Sequence, residues 1–295
     1  MADPWHRFRT AWQTSTDGAA LGRRRSGRWR TRTRHPRRPP PPRPAAPRGL
    51  AADEAKIHGA NACAVTLRER PDAEARAWFA ESTARHWAEA MQGIAARRRA
   101  YHVVPDDELG LVAGSEHHGG VCLIVRKKRP VSIERWLTKM EKRERVCGLA
   151  LEGVGNPHNL GAILRTGAHF AIDGLLVADT DALHSGACAR VAEGGLEYVE
   201  TVHCAHTGDA IRLARRAGFG ILTTSSHGGE PLYAAELPPK CLIVFGEESL
   251  GLTKQTLKAG DVQVMIPGSG AVESLNVSVA AAVIVAEWWR RFRQP

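Results

Sequence analysis

The sequence lacks any apolar run long enough to form a membrane-spanning helix. Its longest strongly apolar stretch, residues 275–286, is twelve residues long and contains Asn276 and Ser278. Because a bilayer-spanning helix needs about 18–20 apolar residues, the sequence excludes an integral membrane protein of the helical type.

Closely spaced cysteines are missing as well. No two of the six cysteines lie within four residues of each other, so the CxxC patterns of zinc sites and thioredoxin-like proteins are absent. His117 and His118 are adjacent and would point apart on a helix or strand, and we expect no metal site. Several cysteines, such as Cys122, lie within apolar runs, which is typical of buried, reduced thiols in a cytoplasmic protein.

Three common signatures of nucleotide and hydrolase sites are also absent. Residues 153–158 fail the GxGxxG pattern at its last position, which argues against a nicotinamide cofactor. The chain contains neither the GxxxxGK[ST] pattern of a P-loop nor the GxSxG nucleophile elbow. Chemistry that depends on these motifs is therefore excluded.

Positive charge is concentrated in one segment. The first 50 residues hold 13 arginines, two aspartates, eight of the 17 prolines and no lysine. The other 245 residues hold 28 basic and 29 acidic side chains, so the formal net charge of +10 comes from that segment. We expect residues 1–52 to be a disordered Arg/Pro-rich tail, which either binds RNA or is an unstructured extension.

Two further parts are predicted before residue 146. Residues 53–129 read as a small α/β domain, and residues 130–145 as a basic linker helix. Residues 126–145 carry nine basic and three acidic side chains. This excess is either a solvated helix face or a contact for RNA phosphates. The RNA-binding interpretation depends on Arg126, Lys127, Lys128 and Arg129.

From residue 146 to the end, apolar strands alternate with helices. This alternation predicts an α/β fold with a parallel sheet that is covered by helices on both faces. Ligands of such sheets bind beyond the carboxyl ends of the strands. The predicted strands are residues 147–151, 174–178, 199–203, 219–224, 241–245 and 262–266; the predicted helices are residues 160–170, 184–192, 208–217, 253–258 and 275–292.

Three polar segments follow the carboxyl ends of predicted strands. The first, NPHNLGAILRT at residues 156–166, contains Asn159, which we expect to cap the helix that follows it. The same segment places Arg165 on an otherwise apolar helix. A guanidinium keeps its charge, so Arg165 either pairs with a structural carboxylate or serves a ligand.

The second segment, FGEESLGL at residues 245–252, places two carboxylates between glycines after an apolar strand. One of them is expected to point inward, where it needs a cation or backbone donors; the alternative is a turn with surface acids. The third segment, IPGSGAVESLNVS at residues 266–278, contains a glycine loop that lets a backbone approach a ligand. We expect Ser274 to cap the next helix, where Ser274 and Asn276 suit an anion or a ribose.

In this order and at these separations, the three segments resemble the motifs of the SpoU/TrmH family of RNA ribose 2′-O-methyltransferases. The resemblance covers about 150 residues from Val146 onward, and residues 54–128 resemble more loosely the RNA-substrate domain of that family. It implies a deep trefoil knot in a catalytic domain at residues 146–295, and S-adenosyl-L-methionine as the cofactor. It also implies a homodimer in which the partner chain completes the active site.

The resemblance also implies roles for individual residues. Arg165 would act on the target 2′-hydroxyl, and an acid, Glu193, precedes Gly194 where many members have small residues. The other catalytic residues would be Asn159, Glu248, Ser274 and Asn276, and the cofactor would contact Thr224, Gly246, Ile266, Ser274 and Leu275.

The function implied is S-adenosylmethionine-dependent methylation of a ribose 2′-hydroxyl in structured RNA, with ribosomal RNA favoured over transfer RNA by family analogy. Arg165 would either accept the hydroxyl proton with help from a neighbour or orient the hydroxyl and stabilise negative charge. Two alternatives remain. One is a non-catalytic RNA-binding or ribosome-assembly factor, and the other is a methyltransferase that acts on a base or a protein.

Overall fold

A computed structural model describes residues 49–293 of the chain. Most of the segment expected to be a disordered tail, residues 1–48, lies outside the described part. All described residues belong to one compact unit, which contains two separate β-sheets. No helix within residues 49–293 is long and apolar enough to cross a membrane.

The first sheet belongs to a small α/β region, residues 54–126. Its strand order is β1-β4-β2-β3, in which β4 runs antiparallel to both β1 and β2, and β3 runs parallel to β2. Strand β4 is central and is almost entirely buried. The elements are β1 (Glu54–His58), α1 (Ala60–Glu69), β2 (Glu74–Ala80), α2 (Ala88–Ala96), β3 (Tyr101–Val104), α3 (Asp106–Ala113) and β4 (Val121–Arg126).

The second sheet belongs to a large α/β region, residues 131–292. It has eight strands in the order β10-β12-β9-β11-β6-β7-β8-β5, and every neighbouring pair is parallel. The predicted parallel α/β fold is therefore confirmed. The elements are β5 (Val131–Ser132), α4 (Ile133–Met140), β6 (Val146–Glu152), α5 (Pro157–His169), β7 (Gly174–Val177), α6 (Gly186–Ala192), α7 (Gly195–Tyr198), β8 (Thr201–His203), α8 (Thr207–Arg216), β9 (Gly220–Thr224), β10 (Glu230–Pro231), β11 (Lys240–Gly246), α9 (Lys254–Lys258), β12 (Val262–Met265) and α10 (Val277–Phe292).

Helices cover both faces of the large sheet. Helices α5, α6 and α10 supply the buried side chains of one hydrophobic core, and α4 and α8 supply those of the other. Trp136 of α4 is completely buried against the sheet because Gly148 and Gly174 leave room for it. A Cβ at either glycine would lie within 2.7 Å of the indole ring. The indole nitrogen of Trp136 donates a hydrogen bond to the Asp173 carbonyl at 3.0 Å.

The segment expected to be a linker helix is integrated into the large region. Residues Val131–Ser132 form edge strand β5, which pairs with β8, and the helix ends at Met140 rather than near residue 145. Ser132 caps this helix by accepting a hydrogen bond from the Arg135 amide at 3.3 Å. The apolar side of α4 lies in the core of the large region, which is why the segment does not act as a separate connector.

The two regions meet along α1, α6 and α7. The Glu197 carboxylate on α7 accepts hydrogen bonds from Thr66 at 3.1 Å and from Arg70 at 2.9 Å. The Lys128 ammonium donates to the carbonyls of Leu196, Glu197 and Val199 at 3.0, 3.2 and 2.9 Å. These contacts join α1 and the segment after β4 to the short helix α7 of the large region.

Candidate functional site

Helix α5 follows the carboxyl end of central strand β6, and Asn156 caps it. The Asn156 side chain accepts a hydrogen bond from the His158 amide at 2.9 Å, and Pro157 occupies the first helical position, where its fixed φ is favourable. The expectation that Asn159 caps this helix is wrong. Because the proline sets the helix start three residues earlier than expected, Asn159 lies inside the first turn and is only 7% exposed.

Asn159 is instead the buried member of a three-residue cluster. Its Nδ2 donates to Glu248 Oε1 at 2.8 Å, and its Oδ1 accepts from Asn276 Nδ2 at 3.0 Å. Asn276 Nδ2 also contacts Glu248 Oε1 closely. One residue from each polar segment of the sequence therefore contributes to one cluster. Glu248 is an exposed residue, and its carboxylate meets two side-chain amides here rather than the expected cation or backbone donors.

Asn276 has a second role at the start of α10. Its Oδ1 accepts hydrogen bonds from the Ser278 amide at 2.9 Å and from the Ser278 hydroxyl at 2.6 Å. The expectation that Ser274 caps this helix at Leu275 is wrong, because the helix begins only at Val277. Ser274 and Leu275 remain in the preceding loop with exposed side chains. The cap fixes the orientation of the Asn276 amide, so that its Nδ2 faces Glu248.

Three of the residues expected to contact a cofactor lie at or directly after the carboxyl ends of β9, β11 and β12. Gly246 ends β11, and a Cβ there would overlap with the backbone of Gly251 and Leu252, so only glycine fits between these two stretches of chain. Thr224 ends β9 and donates a hydrogen bond from its hydroxyl to the Val244 carbonyl at 3.0 Å. Ile266 directly follows β12 and packs against the core of the large region.

Arg165 lies apart from the Asn159 cluster. Six residues separate it from Asn159, which on an α-helix corresponds to about 120° around the axis and about 9 Å along it. Its side chain is 59% exposed, and its Nη2 lies 3.0 Å from Glu193 Oε2. In the isolated chain, Arg165 therefore pairs with a carboxylate, which is one of the two alternatives; the other is that it serves a ligand.

The four basic residues expected to contact RNA are partly engaged within the chain. The Arg126 guanidinium donates to the Asp72 carbonyl at 2.7 Å, and Lys127 pairs with Asp181 at 2.8 Å. Lys128 binds the three carbonyls described above, and burial lowers its pKa. Arg129 is exposed and lies with the other three along a cavity of about 230 Å³. Arg129 is therefore the best placed of the four for a phosphate.

A second cavity, larger than that one, lies between α8 and the carboxyl ends of β6, β7 and β8. It has a volume of about 750 Å³, and Arg212, Arg215 and Arg216 line it. None of the residues that we expect to bind the cofactor lines this cavity. Arg212 and Arg215 are already paired with Asp209 and Asp261, so the site is assigned from the motif residues and not from cavity size.

Metal and thiol chemistry find no support within residues 49–293. No group of three or more His, Cys, Asp or Glu side chains there could hold a metal ion. All six cysteines are free, and five of them are buried. Burial raises the pKa of Cys122 and of Cys188 to about 12. Reactive thiolates are therefore not a property of these positions.

These features define a class: a parallel α/β protein with a polar cluster at the carboxyl ends of its central strands. Two family profiles match the chain, the SpoU rRNA methylase family over residues 147–286 and RNA 2′-O ribose methyltransferase substrate binding over residues 56–131. An Escherichia coli O157:H7 protein described as "uncharacterized tRNA/rRNA methyltransferase YfiF" is 41% identical over 248 residues, which are 84% of this chain and 71% of that protein. The chain belongs to the SpoU rRNA methylase family, and the resemblance predicted from the motifs is confirmed.

Two further similarities extend the comparison. The 23S rRNA (guanosine-2′-O-)-methyltransferase RlmB of a Burkholderia species is 31% identical over 237 residues, which are 78% of this chain and 94% of that enzyme. The crystal structure of the SpoU methyltransferase AviRb from Streptomyces viridochromogenes, in complex with AdoMet, has a TM-score of 0.67 and 22% identity. The match covers 81% of this chain and 91% of AviRb. At this identity the structural match supports the fold.

Proposed function

We propose that this chain is an S-adenosyl-L-methionine-dependent RNA methyltransferase that modifies a ribose 2′-hydroxyl. The observation that carries the proposal is the meeting of Asn159, Glu248 and Asn276 at the carboxyl ends of the central strands. These residues come from three segments that are 89 and 28 residues apart in the sequence. The family relationship and the RlmB similarity support the same activity.

The loops next to the cluster fit a nucleoside-containing donor. Gly246 closes against the Gly251 backbone without a side chain between them. Within the described part of the chain, the main-chain groups of residues 268–275 make no hydrogen bond to other main-chain groups. The Ala271 amide donates to the Ser269 hydroxyl at 3.3 Å, and the remaining main-chain groups of this loop would be the ones to bind an adenine or a ribose. The donor would be held beside these loops by the residues expected to contact it: Thr224, Gly246, Ile266, Ser274 and Leu275.

S-adenosyl-L-methionine supplies a methyl group that is already activated on a sulfonium. The chain therefore needs only to place a ribose hydroxyl in line with that methyl and to stabilise the charge that develops as the hydroxyl loses its proton. A guanidinium with a pKa above about 12 is a poor proton acceptor at neutral pH but a good donor to an oxyanion. Arg165 is the group that orients the hydroxyl and stabilises its negative charge.

A second copy of the chain would bring Arg165 to the donor site. Within one protomer, Arg165 faces a different side of α5 from Asn159. The loops and helix next to the cluster carry exposed apolar side chains, among them Leu250 at 83% and Val272 at 71% exposure. An apolar surface next to an incomplete site fits a homodimer in which each active site takes Arg165 from one protomer and the Asn159 cluster from the other.

Complementation tests this arrangement. Arg165→Ala and Asn276→Ala protomers, each inactive alone, should regain part of the wild-type activity when they are mixed and allowed to exchange. A mixture that stays inactive while exchange is complete would place the whole site in one protomer.

The reaction itself is tested by transfer of a labelled methyl group from S-adenosylmethionine to unmodified RNA. Ribosomal and transfer RNA are offered separately, and the products are digested with alkali. Label in alkali-resistant dinucleotides establishes 2′-O-methylation, because the methyl group blocks the hydroxyl that alkaline cleavage requires. Label only in mononucleotides would indicate methylation of a base, and label in protein would indicate a different acceptor.

Ribosomal RNA is the substrate that we favour, because RlmB is named for 23S rRNA. YfiF is named for both RNA classes. The separate assays with ribosomal and transfer RNA therefore decide which class is the substrate. We also expect the chain to act in the cytoplasm, where its six free cysteines stay reduced. The trefoil knot remains an expectation for the C-terminal half of the catalytic domain, and the division into a tail, a substrate-binding domain and a catalytic domain remains a prediction.

The alternative function is a non-catalytic RNA-binding factor. The Arg165–Glu193 pair favours it, because the pair neutralises the expected catalytic charge in the isolated chain. Equilibrium binding separates the two functions. A protein that binds RNA but shows no affinity for S-adenosylmethionine would support the alternative.

A further inference from the structure

The turn between α6 and α7 places a carboxylate where the backbone favours glycine. Glu193 caps the end of α6 with φ +46° and ψ +41°, in the left-handed region. A side chain in this region costs about 1 kcal/mol relative to glycine. The next two residues, Gly194 and Gly195, are both glycines. The sequence therefore keeps an acidic side chain at a position of the turn where a side chain strains the backbone.

The glycines hold the turn tightly between the two regions of the molecule. A Cβ on Gly194 would lie 2.5 Å from Val65 Cβ on α1 of the small region. A Cβ on Gly195 would lie 2.7 Å from the Leu164 carbonyl oxygen and 3.0 Å from the Arg165 amide on α5. The turn thus packs directly against α1 on one side and against the backbone of Arg165 on the other, which leaves Glu193 little freedom.

A single carboxylate oxygen of Glu193 joins side chains of both regions. Its Oε2 lies 3.0 Å from Arg165 Nη2 and accepts a hydrogen bond from Asn61 Nδ2 at 3.3 Å. Asn61 lies on α1, 132 residues before Glu193 in the sequence. Because an arginine has five donor hydrogens, this pair leaves most of the Arg165 guanidinium available for another oxygen.

We propose that Glu193 is a positioning residue, which sets the Arg165 guanidinium for methyl transfer and ties its position to Asn61 of the small region. This inference rests on the proposed function. The ion pair is exposed, with 59% of the Arg165 and 36% of the Glu193 side chain accessible, so it adds little to stability. The effect of the ion pair is to orient the Arg165 guanidinium, which must meet a ribose hydroxyl. Misplacement of a reacting group by about 1 Å can lower the rate up to a hundredfold.

Four substitutions test the inference. Glu193→Ala and Glu193→Gly remove the acceptor, and both should lower kcat about tenfold or more. Glu193→Gln keeps an oxygen acceptor and should retain at least a third of the wild-type kcat. Asn61→Ala removes only the second anchor and should lower kcat two- to threefold. The KM values for RNA and for S-adenosylmethionine should stay within threefold of wild type in all four.

Glu193→Gly separates positioning from folding. Glycine relieves the left-handed strain, so its unfolding temperature should equal or exceed that of the wild type while its kcat falls. A purely structural role would lower both together. Glu236→Gln is the matched control, since Glu236 is an exposed acid in the segment before β11 and the variant has the same change in net charge. It should keep the wild-type kcat.

Each outcome gives a decision. A fall in kcat for Glu193→Ala and Glu193→Gly, with recovery in Glu193→Gln, supports the positioning role. Wild-type kcat in Glu193→Gly, or a kcat above wild type, overturns it, and the latter would make the ion pair inhibitory. A wild-type protein that transfers no methyl group contradicts the proposed function itself, and this result is distinct from active wild type with unaffected variants.

Discussion

Helix α5 holds its two polar site residues in opposite ways. Near the start of the helix, Asn159 is buried, and its amide is hydrogen-bonded to loops that follow β11 and precede α10. Farther along, Arg165 is exposed and is held by one carboxylate on a strained turn. The first arrangement is fixed by the core of the large region alone, whereas the second depends on how the small region packs against it.

In the proposed function, this difference would separate binding of the methyl donor from handling of the acceptor. The cluster around Asn159 orders the loops that would hold the methyl donor, and it needs no RNA to form. Arg165 lies near the contact between the two regions, so in the proposed function this contact would also position the guanidinium. The following predictions test that separation.

Arg165→Ala should give the largest effect. We expect kcat to fall at least about a hundredfold, as for the loss of one donor to a developing oxyanion, while the Kd for S-adenosylmethionine stays within twofold. Steady-state kinetics and calorimetric donor binding measure the two quantities. Equal loss of both would mean that the two parts of α5 are not functionally separate.

Asn159→Asp should damage the other part of the helix. The introduced carboxylate would lie beside Glu248 Oε1, which Asn159 Nδ2 now meets at 2.8 Å, and it would be buried. Burial of a new negative charge beside the Glu248 carboxylate should lower the free energy of unfolding by about 2 kcal/mol or more. Urea unfolding at neutral pH measures the loss, and Asn156→Asp, which keeps an effective cap residue, is the control. An unchanged midpoint would contradict the buried cluster.

Acidification should weaken the junction between the regions, where the His58 ring at the end of β1 lies so close to Gly186 of α6 that a Cβ there would be 3.1 Å from it. Burial is the main cause that lowers the pKa of His58, and nearby Arg190, Lys56 and His118 lower it further. The folded state therefore prefers neutral His58, and stability is lost as the pH falls below the unfolded value of about 6.5, by about 1.4 kcal/mol for each unit of pKa difference. Unfolding at pH 7.5 and 5.5 measures this loss. The His58→Gln variant should lose less stability than the wild type between pH 7.5 and 5.5. An identical loss would show that protonation of His58 is not its cause.

A double-mutant cycle between Arg165 and Glu193 should give the smallest effect on stability. Exposed ion pairs contribute about 0.2–1 kcal/mol, and we expect a coupling free energy near 0.5 kcal/mol or below from thermal unfolding. The coupling in kcat should be larger, because the pair acts on orientation. A stability coupling above about 2 kcal/mol would make Glu193 a structural residue.

Sequence reasoning identified the features that depend on local pattern. The apolar strands β6 and β11 were predictable because both are buried on two faces and read as continuous apolar runs. Strand β1 was not predicted, because EAKIH mixes charged and apolar residues and is strand-forming only through its pairing with β4. The short strands β5 and β10 have two residues each and carry no periodic signal.

The two wrong helix caps have different causes. The cap at Asn156 was readable, since a proline follows it at the first helical position. At α10, Ser274 and Asn276 are both competent caps, and the choice between them depends on Glu248, which is 28 residues away. Glu193 stood out in the sequence as an acid before two glycines, but its contact with Arg165 and Asn61 depends on packing between regions and has no local signal.

The order of strands in the large sheet has a consequence for synthesis on the ribosome. Strand β6 pairs with β7 soon after both are made, but its other neighbour is β11, and Val146 aligns with Lys240. One edge of β6 therefore stays open until residue 246 has left the exit tunnel. An open apolar edge invites pairing with other chains. Nascent chains truncated between β9 and β11 should therefore bind trigger-factor-type chaperones more strongly than full-length ones.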